Sequence, residues 1–377
     1  VLTIVADENI PLLDQFFSDI GSITRVNGRS MFAEQVVDAD ILLVRSVTHV
    51  NEALLANSTV RFVGTATIGI DHLDTDYLET KGIVWANAPG CNANSVVDYV
   101  FSCFCQVDNL WQQLFDNFTV GIIGLGNVGS CLQDRLNRLN IATKGYDPLL
   151  PESNLNTHDL SSVMSCDVLC LHAPLTKTGS YPSFHMIAES ELALLKPGAV
   201  LVSAGRGAVI DNGALEVFLE GRPDVITMLD VWEGEPNIAM GLLPQVKIAT
   251  PHIAGYSLDG KTLGTNMIYQ ACCDSLKLVS AEKIKGDQYF EIEVPESLSA
   301  VEAFCFTMAH VYDVSTDDQC FRESMLAADD MQRAKRFDEL RKFYPERREF
   351  SRYIITNSQC LPAQLNDWLK AAGFHLS

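Results

Sequence analysis

The sequence predicts an α/β protein built on parallel sheets, followed by a smaller α+β module at its C-terminal end. Three observations carry this. Short apolar runs alternate with helical stretches along most of the chain, the pattern of a parallel sheet covered on both faces. A glycine-rich turn, Gly124-Leu-Gly126-Asn-Val-Gly129, joins one such run to a helix. From about residue 286 onward the glycine-punctuated strand–helix units stop.

In chain order, Thr3–Ala6, Ile41–Val44, Arg61–Thr65 and Ile83–Ala86 read as buried strands. Pro11–Ile20, Asn51–Ala56 and Asp74–Lys81 read as the helices between them. A second series begins with a helix over Ser95–Leu114, capped by Asn94 or Ser95. A strand at Thr119–Gly124, a helix at Gly126–Leu139 and a strand at Thr143–Asp147 follow. Val168–His172, Ala199–Ala204, Ile226–Leu229 and Lys247–Thr250 continue the strands. Lys196-Pro-Gly198 is a helix stop ahead of one of them. Thr262–Leu278, Leu298–Tyr312 and Met331–Phe343 are expected helices, with strands at Tyr353–Thr356 and the end.

A length of 377 residues favours two or three domains, at roughly 100–200 residues each. Apolar residues make up 47% of the chain, enough for real cores and too many for a disordered protein. The net charge of −21 argues against a general nucleic-acid binder or an anionic-membrane binder, both of which need basic surfaces. No signal peptide or membrane span is legible. Eleven cysteines without a CxxC pair suggest buried reduced thiols, no metal site and a cytoplasmic location.

The glycine turn has the context that a dinucleotide fingerprint requires, a strand before it and a helix after it. Gly124 allows a tight turn, and Gly126 lets the backbone of Gly126, Asn127 and Val128 approach a pyrophosphate. Gly129 allows close helix–strand packing, with the anion at the helix N-terminus. Asp147 ends the next strand near the position of a ribose-binding acid, which favours NAD over NADP.

Three segments follow successive predicted strands, where open α/β sheets place their ligands. They are Ser203-Ala-Gly-Arg206-Gly-Ala-Val-Ile-Asp211, Leu229-Asp230-Val-Trp-Glu-Gly-Glu235-Pro236 and Thr250-Pro-His252-Ile-Ala-Gly255-Tyr256. A cation, a carboxylate and an imidazole suit oxidation of a 2-hydroxy acid. His252 takes the hydroxyl proton, Glu235 fixes its tautomer, and Arg206 holds the substrate carboxylate. Asp211 reads as a helix cap.

In these motifs and their order the chain resembles the D-isomer-specific 2-hydroxyacid dehydrogenases. The resemblance implies a Rossmann NAD-binding domain interleaved with a flavodoxin-like substrate domain. The substrate domain should combine residues 1–93 with 255–285, and the NAD-binding domain should span 94–254. It further implies Arg206, Glu235 and His252 as catalytic residues. Asp230 and Gly255 become cofactor positions, and Ser46, Thr67 and Tyr256 substrate positions, with Arg45 a candidate cation. Ser46 and Thr67 would offer hydroxyl donors at strand ends facing an inter-domain cleft. Residues 286–377 are expected to be a dimerisation domain, so a homodimer is implied. The implied substrate is a phosphorylated 2-hydroxy acid. Other acids of that kind, such as 3-phosphoglycerate, and an NAD(H)-sensing scaffold similar to corepressors stay open as alternatives. Gly205, where relatives carry a small polar residue, should loosen the turn before Arg206. The basic stretch 333–352 reads as a solvated amphipathic helix, with Arg347 or Arg348 reaching a partner's phosphate as the sharper alternative.

Overall fold

Apolar runs with no polar alternation form strands buried on both faces, and they do so twice in this chain. The computed structural model describes residues 1–151, 158–283 and 288–377. The chain forms two compact units, Val1–Asn92 with Ser257–Asp287, and Ala93–Tyr256 with Gln288–Ser377.

The first unit opens β1 (Leu2–Asp7), α1 (Leu13–Phe17), β2 (Gly21–Val26), β3 (Ile41–Val44), α2 (Glu52–Leu55), β4 (Phe62–Thr65), α3 (Thr75–Thr80) and β5 (Val84–Ala86). The five strands are parallel in the order β2-β1-β3-β4-β5, the flavodoxin-like doubly wound order. The helix expected over Pro11–Ile20 is shorter, because Leu12 adopts a left-handed conformation with φ 53° and Gly21 already begins β2. That edge strand escapes a search for apolar runs, since most of its residues are solvent-accessible.

The second unit continues α4 (Ala93–Cys105), α5 (Leu110–Asp116), β6 (Val120–Ile123), α6 (Asn127–Arg138), β7 (Thr143–Tyr146), α7 (Leu160–Met164) and β8 (Val168–Leu171). Then come α8 (Glu189–Leu192), β9 (Val200–Ser203), α9 (Asn212–Gly221), β10 (Ile226–Leu229) and β11 (Ile248–Ala249). Six parallel strands run β11-β10-β9-β8-β6-β7. The order reverses at β6, which places a topological switch point at the glycine loop. The single helix expected over Ser95–Leu114 is two helices, broken before Asn109, whose φ is 60°. Asn94 and Ser95 are not its cap but lie inside α4; the Ser95 hydroxyl donates to Ala254 O at 3.1 Å instead.

Helix α10 (Leu258–Leu276) belongs to the first unit and packs Tyr269 against Phe16 and Phe17. The chain then adds β12 (Phe290–Ile292), α11 (Ala300–Val311), α12 (Val314–Ala327), α13 (Asp330–Lys342), β13 (Tyr353–Ile355), α14 (Ala363–Ala372) and β14 (His375–Leu376). β12, β13 and β14 form a small parallel sheet. The domain boundary expected near residue 285 lies outside the described residues. The terminal segment shares a core with α4 and α5: Phe304 meets Trp111 edge-on at 5.0 Å, and Trp368 stacks on Phe115 at 3.9 Å. Helix α12, unanticipated in sequence, covers the edge of β11. Asp318 accepts from Ala249 N at 2.7 Å, and Arg322 donates to Leu243 O and Val246 O. Among the described residues no helix is long and apolar enough to cross a membrane.

Candidate active site

The glycine loop lies between β6 and α6. Gly124 has φ +87°, and a Cβ there would come within 2.7 Å of the Ala173 backbone. A Cβ on Gly129 would lie 1.9 Å from Gly124 O, so the helix can approach its strand only without a side chain. Around Gly126 the space is open, with nothing within 4 Å of a Cβ. No side chain caps α6, so its first N–H groups, from Asn127 onward, offer donors of the kind an anion takes. Asp147 bounds the loop: Oδ2 accepts from Leu125 N at 2.9 Å and Oδ1 from Leu149 N at 3.1 Å. This bare backbone beside a pinned carboxylate fits a dinucleotide with free ribose hydroxyls. We expect Gly129→Ala to weaken NADH binding by about 1–3 kcal/mol through overpacking, which titration of protein fluorescence with NADH would measure.

The loops after β9, β10 and β11 sit side by side because those strands are neighbours. Asp230 N donates to Ser203 O at 2.9 Å, and His252 N donates to Asp230 O at 2.7 Å. The Asp230 carboxylate, 1% exposed, builds the last loop. It accepts from Thr250 Oγ1 and Ile253 N at 2.7 Å and from Ala254 N at 2.9 Å. These bonds hold His252 at φ 58°, a costly conformation for a residue with a side chain. Sequence reasoning gave Asp230 to the cofactor and missed this anchoring.

His252 Nδ1 donates to Glu235 Oε1 at 2.5 Å, and Glu235 Oε2 accepts from Trp232 N at 3.2 Å. A carboxylate only accepts, so the proton sits on Nδ1 and Nε2 carries the free lone pair. Burial pushes the Glu235 pKa up, but the charge His252 carries when protonated, its hydrogen bond, the Arg341 charge and the Trp232 N–H outweigh it. Glu235 is therefore held below the ordinary carboxylate range. Arg206 follows β9 and is half-buried, with Nη1 donating to Gly205 O at 3.0 Å. Its turn is tight rather than loosened: a Cβ on Gly205 would lie 2.9 Å from Ala173 O. One on Gly207 would lie 2.0 Å from Trp232 C, so the arginine and glutamate loops meet backbone to backbone. Asp211 caps α9 as expected, accepting from Ala214 N at 2.9 Å. His185 lies outside every motif and was not foreseen. Its Nε2 meets Glu233 at 2.7 Å and its Nδ1 lies 3.5 Å from Asp211, tying the Glu235 loop to α9.

Arg45, Ser46 and Thr67 belong to the first unit. Ser46 is exposed in the turn after β3, and Arg45 is half-buried at that strand's end. Thr67, expected as a donor, commits its proton to Gly69 O at 2.9 Å. Thr65 Oγ1 meets Thr67 Oγ1 at 2.7 Å and His72 Nε2 at 2.9 Å. Burial lowers the His72 pKa to about 4, so this imidazole is neutral at pH 7. With its own proton committed, Thr67 Oγ1 accepts from Thr65 Oγ1. Gly255 and Tyr256 continue the His252 loop in the second unit.

The basic C-terminal stretch divides. Arg333, Lys335 and Arg336 pair with Asp330 and Glu339 at the surface, as a solvated helix would. Arg347 departs from both expectations: it is 7% exposed and donates to Ser95 Oγ at 2.5 Å and to Ala254 O. Arg348 lies over the Phe290 ring at 5.3 Å.

This parallel sheet, glycine loop and histidine–glutamate pair define a 2-hydroxyacid dehydrogenase of the D-isomer-specific class, and residues 106–254 match that family's NAD binding domain. Residues 289–373 match a domain of unknown function, DUF3410. The chain is 48% identical to the erythronate-4-phosphate dehydrogenase of Cellvibrio japonicus, over 99% of each chain. It is 43% identical to that of Teredinibacter turnerae, over 100% of this chain and 99% of the other. The chain belongs to the erythronate-4-phosphate dehydrogenase family. Among solved structures, 3-phosphoglycerate dehydrogenase of Entamoeba histolytica with NAD+ bound aligns with TM-score 0.63 at 21% identity, covering 73% of this chain and 95% of that chain. D-lactate dehydrogenase from Aquifex aeolicus aligns with TM-score 0.59 at 23% identity, covering 73% and 95%. Both share the fold.

Proposed function

We propose that the chain oxidises 4-phospho-D-erythronate at its 2-hydroxyl to 2-oxo-3-hydroxy-4-phosphobutanoate, with NAD as cofactor, in pyridoxal 5′-phosphate biosynthesis. The observation that carries this is the Glu235–His252 pair beside the Arg206 loop, in a chain alike over its whole length to relatives of that name. When bound, NAD supplies the acceptor for hydride from substrate C2. Arg206, Glu235 and His252 are the catalytic residues. His252 takes the hydroxyl proton at Nε2, and Glu235 stabilises the imidazolium that forms. Arg206 holds the substrate carboxylate with its planar fork and polarises the forming carbonyl.

The backbone of Gly124, Gly126, Asn127, Val128 and Gly129 holds the pyrophosphate, and Asp147 the ribose. Asp230 and Gly255 are cofactor positions. Ser46, Thr67 and Tyr256 bind substrate, with Arg45 as a candidate phosphate ligand. We assign residues 1–93 and 255–285 to the substrate domain and 94–254 to the NAD-binding domain. Residues 286–377 form a homodimer interface, for which exposed Leu326, Met331 and Phe343 speak. The free cysteines fit a reducing cytoplasm.

NADH absorbance with 4-phosphoerythronate and NAD tests the reading, and a higher kcat/KM with 3-phosphoglycerate would overturn the substrate. Arg206→Lys is expected to lower kcat/KM at least tenfold, about 1.4 kcal/mol or more, because an ammonium cannot form the fork.

A further inference from the structure

In the second unit, the C-terminal segment packs a group of rings and cations against the loop that carries His252. Arg347 ties Ser95 to Ala254, and its guanidinium lies 4.2 Å over the Tyr312 ring. Tyr312 and Tyr344 both donate to Asp317 Oδ2 at 2.8 Å. Tyr256 meets the Tyr344 ring edge-on at 5.9 Å. Arg341, in the last turn of α13, lies over the other ring of that pair, with Cζ 5.6 Å from the Tyr256 centroid. Its Nε is buried and has no hydrogen-bond partner.

We propose that Arg341 is a positioning residue for the Glu235–His252 pair, seated on Tyr256 in the loop that carries His252. The proposal rests on the reading of His252 as the proton acceptor. Three observations support it. A cation at the C-terminal end of a helix is favourable in solvent, yet Arg341 is drawn inward, where burial opposes its charge. Against that burial stand the Tyr256 side chain beneath it and the carboxylates of the site, Glu235 and Asp230. In return the Arg341 charge is one of the causes that hold Glu235 ionised despite burial. An ionised Glu235 keeps the imidazole proton on Nδ1 and leaves Nε2 open. A guanidinium suits the task, because its plane stacks on a ring while its charge acts along the edge.

The test uses the full chain with 4-phosphoerythronate and NAD, comparing Arg341→Met and Arg341→Lys. Methionine keeps most of the stem and removes the charge; lysine keeps the charge and loses the plane. We expect Arg341→Met to lower kcat about tenfold or more, with substrate KM, NADH affinity and melting temperature nearly unchanged. Arg341→Lys should recover most of kcat. A kcat for Arg341→Met within about twofold of the parent overturns the proposal. So does a rise in KM at constant kcat, which would make Arg341 a substrate ligand, or a loss of kcat matched by lost NADH binding, which would make it structural. A lysine variant no better than methionine overturns it as well. His252→Asn measured in parallel separates the two readings. If His252→Asn is inactive and Arg341→Met is parent-like, only the role of Arg341 fails; if His252→Asn is active, the proton-acceptor reading fails.

Discussion

Replacing His252 with asparagine lowers turnover by about 100- to 10,000-fold, the usual contribution of a positioned general base, while NADH binds as before. The expectation follows from how the imidazole is held. One nitrogen is committed to Glu235, and the backbone around it is fixed by the Asp230 carboxylate, so a single proton-accepting atom remains. The asparagine amide keeps the polarity of the side chain and tolerates the left-handed backbone at 252, which removes refolding of the loop as an explanation. The dinucleotide loop at Gly124–Gly129 belongs to other strands, so NADH affinity should be spared. Glu235→Gln acts on the same proton, so His252→Asn/Glu235→Gln should be hardly worse than His252→Asn alone. Stopped-flow NADH formation with the two single variants and the double variant measures both points. Additive losses would mean that the two side chains do not work as one unit.

The sequence displayed whatever was written locally. Most strands of both sheets were legible because they are short, largely apolar runs, and Gly124, Gly129 and Asp147 because turn, helix and acid lie in one stretch. The Arg206, Glu235 and His252 segments were legible as residue types after strands. What stayed hidden depends on partners far along the chain. The anchoring role of Asp230 was hidden because nothing local announces that Ile253 and Ala254 will donate to it. Edge strand β2 exposes most of its residues and so lacks the buried signature. Helix α12 carries charges such as Asp318 and Arg322 on a face that turns out to cap a sheet edge, so its composition reads as surface. The basic stretch was misread for the same reason: local charge density cannot tell Lys335, which is solvated, from Arg347, which is buried against residues 95 and 254.

Asp98→Ala should cost the second unit about 3–5 kcal/mol, the penalty for stranding one charge of a buried pair. Asp98 and Arg135 meet at 2.6 Å with side chains 3% and 5% exposed. Asp98 also accepts from Phe350 N at 2.9 Å, and Arg135 donates to Asn94 Oδ1 at 2.8 Å and Ala372 O at 2.9 Å. One ion pair therefore fastens α4, α6 and two points late in the C-terminal segment, Phe350 and Ala372. Alanine leaves the guanidinium with neutral acceptors only and leaves Phe350 N without its acceptor. Asparagine keeps an oxygen for Phe350 N and should cost less. Asp98→Ala/Arg135→Met removes both charges and should be more stable than Asp98→Ala alone, because the uncompensated cation causes most of the loss. Trp111, Trp232 and Trp368 all lie in this unit, so tryptophan fluorescence in urea reports mainly on it. Because Phe350, held by Asp98, lies three residues after Arg347, which is bonded to Ala254, the same variant should lower turnover before it unfolds the chain. A urea midpoint unchanged by Asp98→Ala would show that the pair is not what holds the segment in place.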